Sequence, residues 1–329
     1  MKLKNFKLAM KVVHFIIKGL LFIVFSCLVL ELALQGAHWI HAAMEPASEL
    51  PHPGTPVILC VGDSHTYGVK LPAEQSYPGQ LQSLFDHQGI VVNVVNAGVP
   101  GENTSELRRR LPELLVRYRP VAVVILSCSN NGWNRADIIW SDLQDGVLQP
   151  GIRSWPRRLW FGLVGNLRTV RLLTYLWNET GRRLKPLERV EDREGKVYFH
   201  REQWKWKGPW NELDRMLDRS RRDLAAMVEM AESVRALPIL MTYAGQPFSP
   251  MGGANDVLRT MAKSLGVPLV DNDAAIWPRF MRPDGSMDQA AHDRLFLADS
   301  GETHLAGPGY AIVARNVFET LVQLRAVKP

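Results

Sequence analysis

Five short apolar runs alternating with helix-period segments predict an α/β fold, a three-layer α/β/α sandwich built on a five-stranded parallel sheet. One N-terminal transmembrane helix precedes it. Three observations carry this. The runs have strand length and are rich in Val, Ile and Leu, as strands buried on both faces are. The stretches between them repeat apolar residues at helical spacing. A single long apolar segment near the amino terminus follows a series of lysines.

In chain order, Lys2, Lys4, Lys7, Lys11 and Lys18 come first, then Gly19–Leu34, whose only polar members are Ser26 and Glu31. Sixteen helical residues span about 24 Å, slightly short of a bilayer core, and residues 12–17 extend the span if Lys18 snorkels. Basic residues before the span and almost none after it predict a cytoplasmic basic stub, a single-pass anchor in the cytoplasmic (inner) membrane within residues 1–45, and a carboxyl-terminal domain on the periplasmic, extracytoplasmic side. A signal peptide cleaved near His41-Ala-Ala43 and an amphipathic core helix are the rival readings. Four prolines between 46 and 56 forbid a helix and read as a stiff linker. The remaining domain is expected at 57–329.

Its strands are expected at 57–61, 91–96, 121–127, 237–243 and 267–271. Helices are expected at 77–87, 104–118, 213–235 and 256–265, with a last one over 308–327. The segment Thr104-Ser-Glu, with Leu107, Leu111 and Leu115 after it, has the form of a capped amphipathic start. The exception is about 132–211, too long for one loop in a compact domain. It holds eight of the ten tryptophans, and residues 151–186 carry eight Arg/Lys against Glu179 alone. Three readings stand open: a cap over the site, a basic patch resting on anionic lipid, and a helical insertion that simply packs on the domain.

The net charge is +6, and residues 1–45, with five lysines against Glu31 and Glu45, supply half of it. The rest is ordinary for a domain of this size. No basic stripe interleaved with stacking aromatics points to nucleic acid. Three cysteines make no disulfide framework, and no Cys/His cluster has metal-ligand spacing, so neither a metal nor an organic cofactor is expected.

The chemistry is concentrated at strand ends. The run 57–61 stops at Gly62, and Ser64 stands two residues later in a polar turn, at the sheet edge where α/β folds place their sites. Gly-Asp-Ser alone is a common tripeptide. Downstream, Asn96-Ala-Gly-Val-Pro-Gly101 ends the second strand in a glycine turn, Cys128-Ser-Asn-Asn131 ends the third, and Gly301-Glu-Thr-His304 precedes a glycine turn and the last helix. Asp63 is read as a brace for its turn and His65 as a turn contact whose side chain points away from the serine's. His292 lacks the glycine turn and ranks below His304. Asn103-Thr-Ser105 fits a glycosylation sequon.

This ordered set resembles the SGNH (GDSL-type) hydrolase superfamily, in its bacterial, membrane-anchored esterase-like branch. Ser64, Gly98, Asn130 and His304 match the four residues that name it. The resemblance covers about residues 57–326 and implies a flavodoxin-like sheet. It also implies acyl transfer, with Ser64 as nucleophile, His304 as base, and an oxyanion hole made by the N–H groups of Ser64 and Gly98 and the side-chain amide of Asn130. Two departures stand out. The third block usually reads Gly-X-Asn-Asp, and the family's acid three residues before His is Gly301 here. Asp299 is the preferred triad acid, with Glu302 or a backbone carbonyl as alternatives. The function this implies is a serine esterase acting on a small-molecule or glycan acyl ester, with a short acyl chain on an envelope glycan favoured. An O-acyltransferase acting on polysaccharide and a catalytically idle polysaccharide-binding or scaffold protein are the competing readings.

Overall fold

The computed structural model describes residues 2–44, 54–132, 141–142, 145, 167–169, 187–191, 197–201, 210–244, 253–284, 286–297 and 304–327. Its strands are β1 (Val57–Gly62), β2 (Asn93–Gly98), β3 (Ala122–Leu126), β4 (Leu187–Glu191), β5 (Val197–Arg201), β6 (Leu237–Met241) and β7 (Leu269–Val270). Five of them form one parallel sheet in the order β2-β1-β3-β6-β7. β1 lies inside it and is buried along its whole length, as expected of a strand with neighbours on both edges and helices on both faces.

The register levels three strand ends. Gly62 pairs with Gly98 on one side and with Leu126 on the other. The chain reverses its direction of travel across the sheet at β1, so the carboxyl ends of β1 and β3 flank the switch point where such sheets bind ligands. This is what brings Ser64, the 98–103 turn and residues 128–131 to one edge.

The helices are α1 (Lys2–Met44), α2 (Ser64–Tyr67), α3 (Tyr77–His87), α4 (Thr104–Tyr118), α5 (Trp210–Ser233), α6 (Ala254–Leu265), α7 (Asn272–Ile276), α8 (Gln289–Leu295) and α9 (Gly307–Gln323). α3 packs on α9, and α4 on α5, which makes the two helical layers. Leu81, Phe85, Leu107, Leu111, Val317 and Leu321 are among their fully buried contributions to the core.

Several boundaries differ from the sequence expectation, each for a local reason. β2 starts at Asn93 because its pairing with Val57 begins there; Val91 is left 77% exposed. The cap of α4 is Asn103 rather than Thr104: its side chain accepts from Glu106 N–H while Glu106 reaches back, a reciprocal capping box. Asn103 is wholly buried, so the sequon is part of the fold and no acceptor for a glycan. The last helix ends at Gln323, and Arg325 turns left-handed at φ 55°.

Within the 132–211 region, β4 and β5 pair antiparallel from Leu187↔Arg201 to Glu191↔Val197. A β-hairpin there was not among the three readings, although Val-Tyr-Phe beside a short segment containing Gly195 has strand-and-turn composition. The region's tryptophans, apart from the backbone of Trp210, and its arginines, apart from Arg168 and the backbones of Arg189 and Arg201, lie outside the described residues. Arg219 on α5 anchors part of the region. It is fully buried and meets Asp142, Asp145 and Asp223, while Arg108 on α4 also reaches Asp145 and Asp223.

α1 contains Ile17–Ala37, with mean hydropathy 2.3, long and apolar enough to cross a membrane by length and composition. Glu31 within it accepts the backbone N–H groups of Arg168 (3.0 Å) and Thr169 (2.8 Å) and the Thr169 hydroxyl (2.8 Å).

Candidate active site

The Ser64 turn is built by three constraints. Gly62 ends β1 at φ +155°, and a Cβ there would lie 2.1 Å from Leu126 O and 2.5 Å from Thr66 Oγ1, so only glycine lets α2 close onto β3. Asp63 caps α2, its Oδ1 accepting His65 N–H at 3.0 Å. Its Oδ2 accepts the Ser129 hydroxyl at 2.8 Å and the Tyr243 hydroxyl at 2.7 Å, and Tyr243 Oη in turn accepts Ser129 N–H at 3.1 Å. Asp63 therefore braces its own turn, as read from the sequence, and it also ties that turn to the ends of β3 and β6. Burial raises its pKa, opposed by those hydrogen bonds and by the charge of His304.

Ser64 is half-buried at the first position of α2. His304 Nε2 stands 2.8 Å from Ser64 Oγ, across 240 residues of sequence. His304 is held by the bridge Phe296↔Leu305, with Leu297 N–H donating to His304 O (2.9 Å) and Ala306 N–H to Leu295 O (2.7 Å). That bridge closes the loop carrying Asp299 and Glu302, both of which lie outside the described residues. His292 stacks on Phe296, with ring centroids 4.6 Å apart, and packs edge-on to Phe280, a core position.

Gly98 N–H donates to Asn96 Oδ1 at 3.1 Å, an exposed contact two residues back. Gly98 has to be glycine: a Cβ would meet Tyr67 N at 2.4 Å, because α2 lies against it. Three residues on, Gly101 has φ +80°, open space around it and no acceptor for its N–H among the described residues. Asn130 Nδ2 donates one hydrogen to Glu102 O at 3.2 Å, which orients the amide and leaves its second hydrogen to give. Asn131, where the family pattern has Asp, is fully buried and joins Thr104 and Ser220.

Sequence reasoning missed the clamp behind this turn. Arg110 on α4 grips both Glu102 carboxylate oxygens at 2.8 Å and donates to Ala97 O at 2.7 Å, spanning the 98–101 turn from both ends. No spacing rule signals it, since Glu102 precedes the helix and Ala97 contributes only backbone. Two cysteines lie nearby, Cys60 and Cys128, both buried and free; burial pushes each thiol up to about 12, so neither is a nucleophile at neutral pH.

Residues 60–312, more than three quarters of the chain and including all of these positions, match the model of the GDSL-like lipase/acylhydrolase family. The chain belongs to that family. Among curated proteins it is 35% identical over 75 residues to an arylesterase of Vibrio mimicus, covering 23% of this chain and 38% of the relative. It is equally similar over 75 residues to esterase TesA of Pseudomonas aeruginosa, covering 37% of that protein. The chain thus spans well under half the length of the curated relatives it matches. Among solved structures, the lipase/acylhydrolase of Enterococcus faecalis aligns at TM-score 0.48 and 16% identity, covering 84% of this chain and 98% of that one. The GDSL-like signature at 62–64 thus lies within a matched span that also includes the histidine placed on its serine.

Proposed function

We propose that this protein is a serine esterase of the GDSL-like family that hydrolyses a short acyl ester on an envelope glycan. The observation that carries the chemistry is the 2.8 Å approach of His304 Nε2 to Ser64 Oγ at the carboxyl edge of the sheet. Neutral His304 takes the Ser64 proton as the hydroxyl attacks the ester carbonyl; positioned general-base help of this kind is worth ~10²–10⁴-fold. The imidazolium then protonates the leaving alcohol, and water repeats the sequence on the acyl-enzyme. Asp299 is the proposed acceptor for the other ring nitrogen, with Glu302 as its rival.

The oxyanion is held by Ser64 N–H, Gly98 N–H and Asn130 Nδ2, the Gly98 N–H exchanging its exposed contact with Asn96 Oδ1 for the oxyanion. One such donor typically contributes about 3 kcal/mol to the barrier. Residues 1–45 serve as basic stub and anchor, 46–56 as linker and 57–329 as an extracytoplasmic catalytic domain. The glycan part rests on the orientation implied by the lysines and on the tryptophan-rich composition of residues 132–211.

The test uses the full chain in detergent micelles. It should hydrolyse p-nitrophenyl acetate and take a fluorophosphonate label, with Ser64→Ala inactive in both, and release free acetate from an O-acetylated polysaccharide. Equal activity in Ser64→Ala overturns the serine assignment. Transfer of acetyl to a sugar hydroxyl without free acid overturns hydrolysis.

A further inference from the structure

His65 immediately follows the nucleophile, and its ring does not point away as the sequence suggested. Consecutive residues on a helical turn diverge by about 100° rather than 180°, so both can face the same neighbour. The His65 ring lies flat on His304, with centroids 4.5 Å apart and planes 13° from parallel. The same ring meets Tyr243 edge-on, with centroids 5.1 Å apart and planes at 78°. The backbone beneath it is pinned by the Asp63 cap, the side chain is 6% exposed, and Tyr243 is itself held by Asp63. The ring therefore touches both His304 and a fixed aromatic wall.

We propose that His65 is a positioning residue for the acyl-transfer step, its ring fixing the plane of His304 and stabilising the positive charge that forms there. This rests on the Ser64–His304 reading above. The physical reason is twofold. A flat stack removes the rotational freedom of the base about its own side-chain bonds, keeping Nε2 on Ser64 Oγ. When His304 accepts the serine proton, the new cation sits over the π-face of a neutral ring, which attracts it.

The arrangement works only while His65 stays neutral. Burial lowers its pKa from 6.5 to about 4, so it does not compete for the proton near neutrality. Among the described residues, the other charged or titratable groups facing the pair are Asp63 on the same turn and Tyr243 after β6; Asp299 and Glu302 lie outside them. All are unchanged in the variants below.

The experiment compares His65→Leu, which fills the volume without a ring, with His65→Phe, which restores a flat π-face, in the full chain in detergent. For His65→Leu, kcat on an aryl acetate should fall roughly 3- to 10-fold with KM within twofold, given the usual strength of an aromatic stack. The acid limb of fluorophosphonate labelling should move to lower pH by about half a unit, because the imidazolium has lost its support. His65→Phe should recover both. A purely structural role would change the thermal midpoint and leave the pH profile in place. If wild type shows Ser64-dependent labelling and His65→Leu matches it in rate and pH profile, the positioning role is overturned alone. Phe failing to recover what Leu loses overturns it as well. If labelling is the same in Ser64→Ala, the serine reading falls, and this inference with it.

Discussion

Replacing Arg110 by Met tests how the 98–103 turn, the proposed oxyanion side of the site, is held. The wild-type guanidinium, 27% exposed, binds both oxygens of a Glu102 side chain that is 5% exposed, and it also takes Ala97 O at 2.7 Å. Deleting the cation strands a buried carboxylate, a change that costs about 3–5 kcal/mol when the charge stays. Glu102 escapes part of that by binding a proton, since burial already raises its pKa and Arg110 is the main force opposing the rise. The expected loss is therefore about 2–3 kcal/mol at neutral pH.

The sign of the pH dependence follows. A folded-state pKa raised above the unfolded value favours the protonated fold, and that advantage disappears as pH rises through the raised value. The Arg110→Met defect should thus be smallest in acid. Glu102→Gln on top of Arg110→Met removes the stranded charge and should return most of the stability. It should not return the rate, because the tie to Ala97 stays lost and the 98–103 turn, with Gly98 N–H and the Glu102 carbonyl that aims Asn130, is still loose. We expect kcat on an aryl acetate about 100-fold below wild type in both variants, the scale of one lost oxyanion donor. Thermal unfolding and steady-state kinetics of the full chain in detergent give both readouts. A wild-type kcat in Arg110→Met, or a double variant no more stable than the single, refutes the reasoning.

Three further outcomes are expected. Asn130→Ala should lower kcat by ~10²–10³ with KM nearly unchanged, at a stability cost of about 1 kcal/mol for one hydrogen bond, read by the same kinetics and melting. Gly62→Ala forces a methyl to 2.1 Å from Leu126 O, so its thermal midpoint should drop and fluorophosphonate labelling of Ser64 should vanish; a wild-type melt and label would contradict the close approach. His65 has a depressed folded pKa, so its contribution is fully present above 6.5 and is lost as pH falls toward about 4, at most roughly 3 kcal/mol. In His65→Phe the fall in thermal midpoint between pH 6.5 and 4 should be correspondingly shallower.

The sheet was legible because buried parallel strands leave an unmixed apolar signature, and β1, β3 and β6 were anticipated within two residues at each end. Ser64 and His304 were legible because strand end, turn and helix start each carry glycine or polar punctuation. Two glycines share the turn Asn96–Gly101, and sequence does not say which amide is already bonded. The β4–β5 hairpin was missed because attention to tryptophan and arginine content hid a short alternation of β-branched and aromatic residues.

By itself, the sequence determined what depends on local chemistry: an apolar N-terminal helix, a strand-and-helix alternation, and a serine presented by Gly62-Asp-Ser. Tertiary structure alone decided what depends on which surfaces meet. It put Nε2 of His304 on Ser64, laid His65 flat on that base, tied Asp63 to Tyr243 and Ser129, and set Gly98 N–H on Asn96 while leaving Gly101 N–H without an acceptor among the described residues. Those contacts join residues as far as 240 positions apart. They arise from the register of three strand ends and the closure of the 296–305 bridge, neither of which any short stretch of sequence encodes.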